Sequence, residues 1–327
     1  MVTRTLSVPR AGLGDLRAGG AWTRRQSLKN ALLRVLIACA LGVADRLPET
    51  WLVRLGRDIG RAAHALLPEQ RDRARRRIRA ALPEADARAL TRQCFASAGE
   101  SLAVTLLLRR PRTRALDFVR VGADARAALE SALAAGRGAV VVAAHLGPFE
   151  LIPAAVSELG LRPAVVVRES YDPALDPVVD AHRVARGISV IHRGAPNAGV
   201  QVVRALRDGR PVGILPDLGG RVAACDALFL GASVPFPVGP ARLAARLGAP
   251  LLALTLERRT GGETYELRAN ALEGQGTVVE VTQRVAGALQ AAIFACPTEW
   301  LWMARVPPAG RSRRHENAGL QKNPGTR

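Results

Sequence analysis

Six short apolar runs punctuate the chain beyond its first third: AVVVAA (139–144), PAVVV (163–167), ISVI (188–191), PVGIL (211–215), PLLALTL (250–256) and YELRA (265–269). Each is too short for a helix. Most are continuously apolar rather than alternating, the pattern of strands buried on both faces of a sheet. Between them stand PFELIPAAVSEL, DPALDPVVDAHRVAR, PNAGVQVVRALRD and GPARLAARLG, all compatible with helices. Strands alternating with helices predict an α/β fold, a mostly parallel central sheet flanked by helices. A last helix over 277–295 precedes EWLWMARVPP, and no internal repeat is present.

Upstream the period is helical. Residues 1–27 are rich in Arg, Gly and Thr without period and read as a flexible leader. ALLRVLIACALGVAD (31–45) is apolar but interrupted by Arg34. It falls short of the roughly 20 residues a spanning helix needs. An interfacial helix, with Arg34 and Arg46 reaching lipid headgroups, fits better; a core helix is the plainer alternative. TRRQSLK (23–29) resembles a twin-arginine export signal, but Ser27 stands where that signal has phenylalanine, and Arg34 breaks its apolar region. Residues 68–82 read as a helix with Pro68 and Glu69 in its first turn. Arg71, Arg75 and Arg79 then share one face, either solvated or a landing surface for phosphates or an acidic carrier. Another helical stretch follows over 84–108. The expected organisation is a leader (1–27), a helical membrane-associating segment (28–113), an α/β domain (114–308) and a disordered tail (309–327).

Composition sharpens this picture in three ways. With 327 residues, 48% of them hydrophobic, the chain can build a large core and is not disordered throughout. The net charge of +19 is carried by the ends: +11 over residues 1–80 and +5 over 303–327, against +3 in between. Basic ends suit an anionic membrane or an acidic partner. A nearly balanced middle and only 4% aromatics argue against a nucleic-acid platform. The four cysteines form no C-x-x-C pair and lie near no histidine at ligand spacing, so neither a metal site nor a cofactor is expected, and a reduced compartment is.

The candidate chemistry lies where strands end, because sites in open α/β sheets form at the carboxyl ends of strands. His145 follows the strongest strand. Gly147 and Pro148 make a turn that predicts a helix starting at Pro148, with Glu150 in its first turn. From there the carboxylate could hold one imidazole nitrogen while the other takes a proton from a substrate hydroxyl. No G-x-S-x-G elbow supplies a covalent nucleophile, so direct transfer onto an acceptor hydroxyl is simplest. Arg168 follows the second strand, Arg193 the third, and Asp217 and Arg221 the fourth, with Gly219 and Gly220 between them. Such a cluster can hold an anionic headgroup or an oxyanion. The Pro/Gly stretch and apolar helix of SVPFPVGPARLAARLG (233–248) either pack as core or wall an apolar groove.

In order, HLGPFE (145–150), GISVIHR (187–193), LPDLGGR (215–221) and GAPLLAL (248–254) resemble the lysophospholipid acyltransferase superfamily. GRPVGILPDLGG, PFPVGPARLAARLGAP and PTEWLWMARV look most like the lipid A biosynthesis (lauroyl/myristoyl) acyltransferases. The resemblance, over roughly residues 70–306, implies an O-acyltransferase at the cytoplasmic face of the inner membrane. It would move a fatty acyl group from acyl carrier protein or acyl-CoA to a glycolipid hydroxyl. His145 and Glu150 become the catalytic pair, Arg168 an oxyanion or phosphate ligand, and Arg193, Asp217 and Arg221 acceptor-binding residues. Pro-Asp-Leu stands where the lipid A enzymes commonly have Pro-Asp-Gln, and Pro148-Phe149 where Asn-Trp is frequent. Lysophospholipid or phosphatidylinositol-mannoside acylation is therefore the alternative. A hydrolase using water in the same cleft and a non-catalytic basic membrane- or nucleic-acid-binding protein are the readings of another class.

Overall fold

The computed structural model describes residues 22–304, apart from 171, 173–174, 221 and 260–263. Most of the expected leader, the expected tail and Arg221 therefore lie outside the described residues. Four helices come first: α1 (Arg24–Ala44), α2 (Glu49–Leu66), α3 (Pro68–Ala81) and α4 (Ala87–Leu107). Thr23 caps α1 reciprocally with Gln26, and Asp86 caps α4 by accepting from the Arg88 and Ala89 amides. The cap starts α1 well before its apolar run, so the helix reaches 21 residues. Among the described residues it is the one helix long and apolar enough to cross a membrane. Only Ala44 on it is buried.

The rest is the expected α/β layer structure. Among the described residues nine strands follow in chain order: β1 (Val119–Val121), β2 (Ala139–Val142), β3 (Ala164–Val167), β4 (Ser189–His192), β5 (Pro211–Ile214), β6 (Ala224–Phe229), β7 (Ala232–Pro237), β8 (Leu251–Arg258) and β9 (Tyr265–Leu272). Interleaved with them are α5 (Ala123–Leu133), α6 (Leu151–Glu158), α7 (Asp176–Ala185), α8 (Ala198–Arg207) and α9 (Gly239–Leu247), and α10 (Val278–Ala295) closes the series. Seven strands form one sheet in the order β1-β9-β8-β2-β5-β3-β4. All its pairings are parallel except β8 with β9. All four residues of β2 are buried. Alternate residues face two cores: Val140 and Val142 join α9 and α10, while Val141 and Ala143 join α5 and α6.

Beyond the expected strands come the short β1 and the hairpin β6–β7. Two residues connect it, Leu230 (φ 54°) and Gly231 (φ 79°), the paired positive φ of a type I′ turn. Pro235 and Pro237 sit in a two-stranded ribbon in which every strand is an edge, so their missing N–H groups cost little.

Candidate active site

From the end of β2 the chain runs on to His145, and here the structure corrects the expected pairing. The imidazole Nδ1 meets Asp217 Oδ1 at 2.8 Å, not Glu150. Asp217 Oδ2 accepts two further hydrogen bonds, from the His145 backbone N–H (2.9 Å) and from the Trp300 indole N–H (2.8 Å). The side chain of Asp217 is fully buried, while that of His145 is a quarter exposed. Burial pushes the Asp217 carboxyl up. The facing His145 and the hydrogen bonds from His145 and Trp300 outweigh burial and hold it below its ordinary value. An ionised Asp217 accepts, so Nδ1 carries the proton and Nε2 offers a lone pair. Phe149 packs edge-on against the imidazole, ring centroids 4.9 Å apart. Asp217, expected in an acceptor-binding stretch, therefore holds His145.

Glu150 has other partners. Helix α6 begins at Leu151, not Pro148, leaving Glu150 at its N-cap, buried. Arg183 of α7 grips the Glu150 carboxylate with both Nε (3.0 Å) and Nη2, and His182 Nε2 lies 3.4 Å from Oε2. Burial would raise the Glu150 carboxyl, but hydrogen bonds and charge from His182 and Arg183 bring it down to about 2. Arg183 also donates to Asp180 Oδ1 (2.6 Å), whose other oxygen meets His192 Nε2 at 2.8 Å. A buried carboxylate needs a full set of partners. Helix α7 supplies them, so Glu150 is drawn toward α7 and away from the imidazole.

His145 opens onto a cavity of about 820 Å³ between the sheet and helices α6 and α7. One part is apolar, lined by Val141, Ala143, Val165, Gly213 and Leu254 from the sheet and by Ile152, Pro153 and Val156 from α6. The other is polar: Arg168, Arg193, Glu150, Asp180, Arg183 and His192 face it beside His145. Of the expected site residues, His145, Glu150, Arg168 and Arg193 thus share one cavity. The wall comes from α6 and α7; β7 and α9, expected as a possible wall, contribute none of the lining and pack in the opposite core.

Sequence reasoning missed Trp300, Asp180, His182, Arg183 and His192. Trp300 reaches the site because Leu146 and Trp300 form an antiparallel bridge and the Gly147 N–H donates to the Glu299 carbonyl (2.9 Å). Arg73 and Arg77 of α3 bind the carbonyls of Met303, Trp302 and Ala304, fixing this segment in place. Among the described residues no group of three or more His, Cys, Asp or Glu side chains is placed to hold a metal ion.

At the carboxyl end of a parallel strand, a carboxylate-held histidine thus faces a cavity with an apolar part and an arginine-bearing part, a place where a base can meet a ligand with an apolar tail and an anionic head. The chain belongs to the bacterial lipid A biosynthesis acyltransferase family, whose model matches residues 22–306. Among characterised proteins it is similar to phosphatidylinositol mannoside acyltransferases. It is 27% identical to that of Mycobacterium tuberculosis over 212 residues, 62% of this chain and 66% of the relative. Against that of Mycolicibacterium smegmatis it is 27% identical over 193 residues, 57% of this chain and 63% of the relative. The matches span just under two thirds of these relatives' length.

Proposed function

We propose that the protein transfers a fatty acyl group from a thioester, on acyl carrier protein or coenzyme A, to a hydroxyl of a glycolipid at the cytoplasmic surface of the inner membrane. The observation that carries this is the His145–Asp217 pair, 2.8 Å apart, at the polar end of the apolar cavity. The acyl chain lies along the apolar part with its carbonyl beside His145. Nε2 takes the proton of the acceptor hydroxyl as that oxygen attacks the thioester carbon. Asp217 fixes the tautomer and stabilises the imidazolium. The tetrahedral oxyanion collapses, the C–S bond breaks, and the imidazolium returns the proton to the departing thiolate. Arg168 and Arg193 offer positive charge to the oxyanion or to a headgroup phosphate. Glu150 serves as a positioning residue that ties α6 to α7 at the cavity wall.

The exposed apolar residues of α1 and the stripe Trp51, Leu55 and Ile59 along α2 support docking on the membrane that holds the acceptor. Two acceptor classes follow from the relationships found. The family description favours a lipid A-type acceptor and the mycobacterial relatives a mannosylated phosphatidylinositol. Purified protein is given radiolabelled palmitoyl-CoA or palmitoyl carrier protein and each acceptor in turn, and the ester product is separated and weighed by mass spectrometry. The expected result is ester on one acceptor, reduced on the order of 10²–10⁴-fold in His145→Ala. Equal ester formation by wild type and variant overturns the mechanism.

A further inference from the structure

The floor of the cavity has one position without a side chain. Val141, Gly213 and Val165 are aligned across β2, β5 and β3, on the same face of the sheet, and all three line the cavity. The valines project into it and Gly213 leaves a notch between them. Nothing in the chain itself calls for glycine here. Gly213 lies in the middle of a strand paired on both sides, where glycine costs roughly 0.5–1 kcal/mol relative to alanine. Its φ is not among the positive ones. A β-carbon built on it would meet Val165 Cγ1 at 3.5 Å and the Ala164 carbonyl at 3.7 Å, ordinary contacts that demand no adjustment. A strand glycine with neither a backbone nor a packing reason marks a place where something else approaches closely.

Resting on the acyl-transfer reading above, we infer that Gly213 is the residue that admits long acyl chains, and that its missing side chain sets the chain-length preference. Val141, its neighbour in register, precedes His145 by four residues, a depth of about 13 Å at ~3.3 Å per residue along the strand. A short acyl chain anchored at His145 ends before that depth. A long one crosses the Gly213 row and continues toward Ala164, Pro163 and Pro211, which line the cavity at the start of β3 and β5. A side chain at 213 fills the passage, so the far methylenes of a long chain lose their burial while a short chain is untouched.

The test compares octanoyl-CoA with palmitoyl-CoA as donors for wild type, Gly213→Val and Gly213→Leu. Calorimetric binding of palmitate and octanoate to the same three proteins runs alongside. The palmitoyl-to-octanoyl ratio of kcat/KM is expected to fall at least about tenfold in both variants, since burial is lost for several methylenes. The melting temperature of Gly213→Val is expected at or above that of wild type, because a β-branched residue suits the strand. That value separates a blocked cavity from a misfolded chain, and Gly213→Leu gives the graded second case. A wild type that transfers acyl groups while both variants keep its chain-length ratio overturns the notch and leaves the transferase reading standing. A wild type that binds palmitate but transfers nothing, with binding weakened in the variants, upholds the notch and overturns the transferase reading.

Discussion

At the scale of single residues, the site divides its two carboxylates by their partners. Asp217 meets the imidazole that opens onto the cavity and an indole N–H, whereas Glu150 meets, beside the buried His182, the permanent cation of Arg183. The first arrangement can support a moving proton. The second is a fixed ion pair, and its worth is read in stability. Glu150 is held at about 2, below the ordinary glutamate value of ~4.3. A depressed carboxylate contributes stability that is fully present above ~4.3 and is lost as pH falls toward about 2. Glu150→Gln leaves Arg183 with Asp180 as its carboxylate partner but with its bonds to Glu150 weakened, and the expected loss at pH 7 is about 1–3 kcal/mol. Urea unfolding at pH 7 and pH 3 checks this. The gap between wild type and variant should narrow at the lower pH, and an equal gap at both would contradict the assignment. The sequence delivered His145 to the cavity but paired it with the wrong carboxylate. Five residues of separation is a chain-local cue. The Asp217 contact comes from the turn after β5, a strand that the sheet order places beside β2.

At the scale of elements, the long-range strands were legible because continuous apolar runs leave few alternatives, and each of the six expected has its counterpart in the sheet. The β6–β7 hairpin was not, because Leu230 occupies a turn position where Asn or Asp gives the usual signal and prolines disguise the strand. The N-terminal segment was legible as helical, with α1, α3 and α4 read individually and α2 not, and its packing was not legible. A β-carbon on Gly60 of α2 would fall 2.1 Å from the Phe95 carbonyl of α4, and one on Gly99 of α4 would fall 2.0 Å from the Gly56 carbonyl. The two backbones touch, and only glycine permits it. Gly60→Leu is expected to lose at least about 1–3 kcal/mol by overpacking. Gly199→Ala in α8, where an added β-carbon meets nothing within 4 Å, should melt at or slightly above the wild-type temperature. Thermal unfolding of the two variants side by side checks the pair, and a Gly60→Leu protein that melts like wild type would sink the close-packing account.

At the scale of the whole molecule, partly buried ion pairs tie the helical N-terminal part to the site. Arg57 of α2 and Arg258 of β8 both bind Glu100 of α4, each at 2.8 Å at closest. Arg258 also binds Glu299, the neighbour of Trp300. Helix α2, which carries exposed Trp51, Leu55 and Ile59, is thus joined through charged contacts to the segment that holds Asp217. Charge loading at the chain ends is the sequence feature on which the membrane proposal rests. The tie between the N-terminal helices and the site was not legible there, because its members are far apart in the chain. All these contacts converge on a single proton-handling pair, so the most direct measurement is the rate of acyl transfer by purified Asp217→Asn. With the amide in place of the carboxylate, the imidazole loses its fixed tautomer and its counter-charge. The rate constant kcat is predicted to fall on the order of 10²–10⁴-fold with the melting temperature little changed. A kcat within two- to threefold of wild type, about what an uninvolved residue would give, would contradict the account.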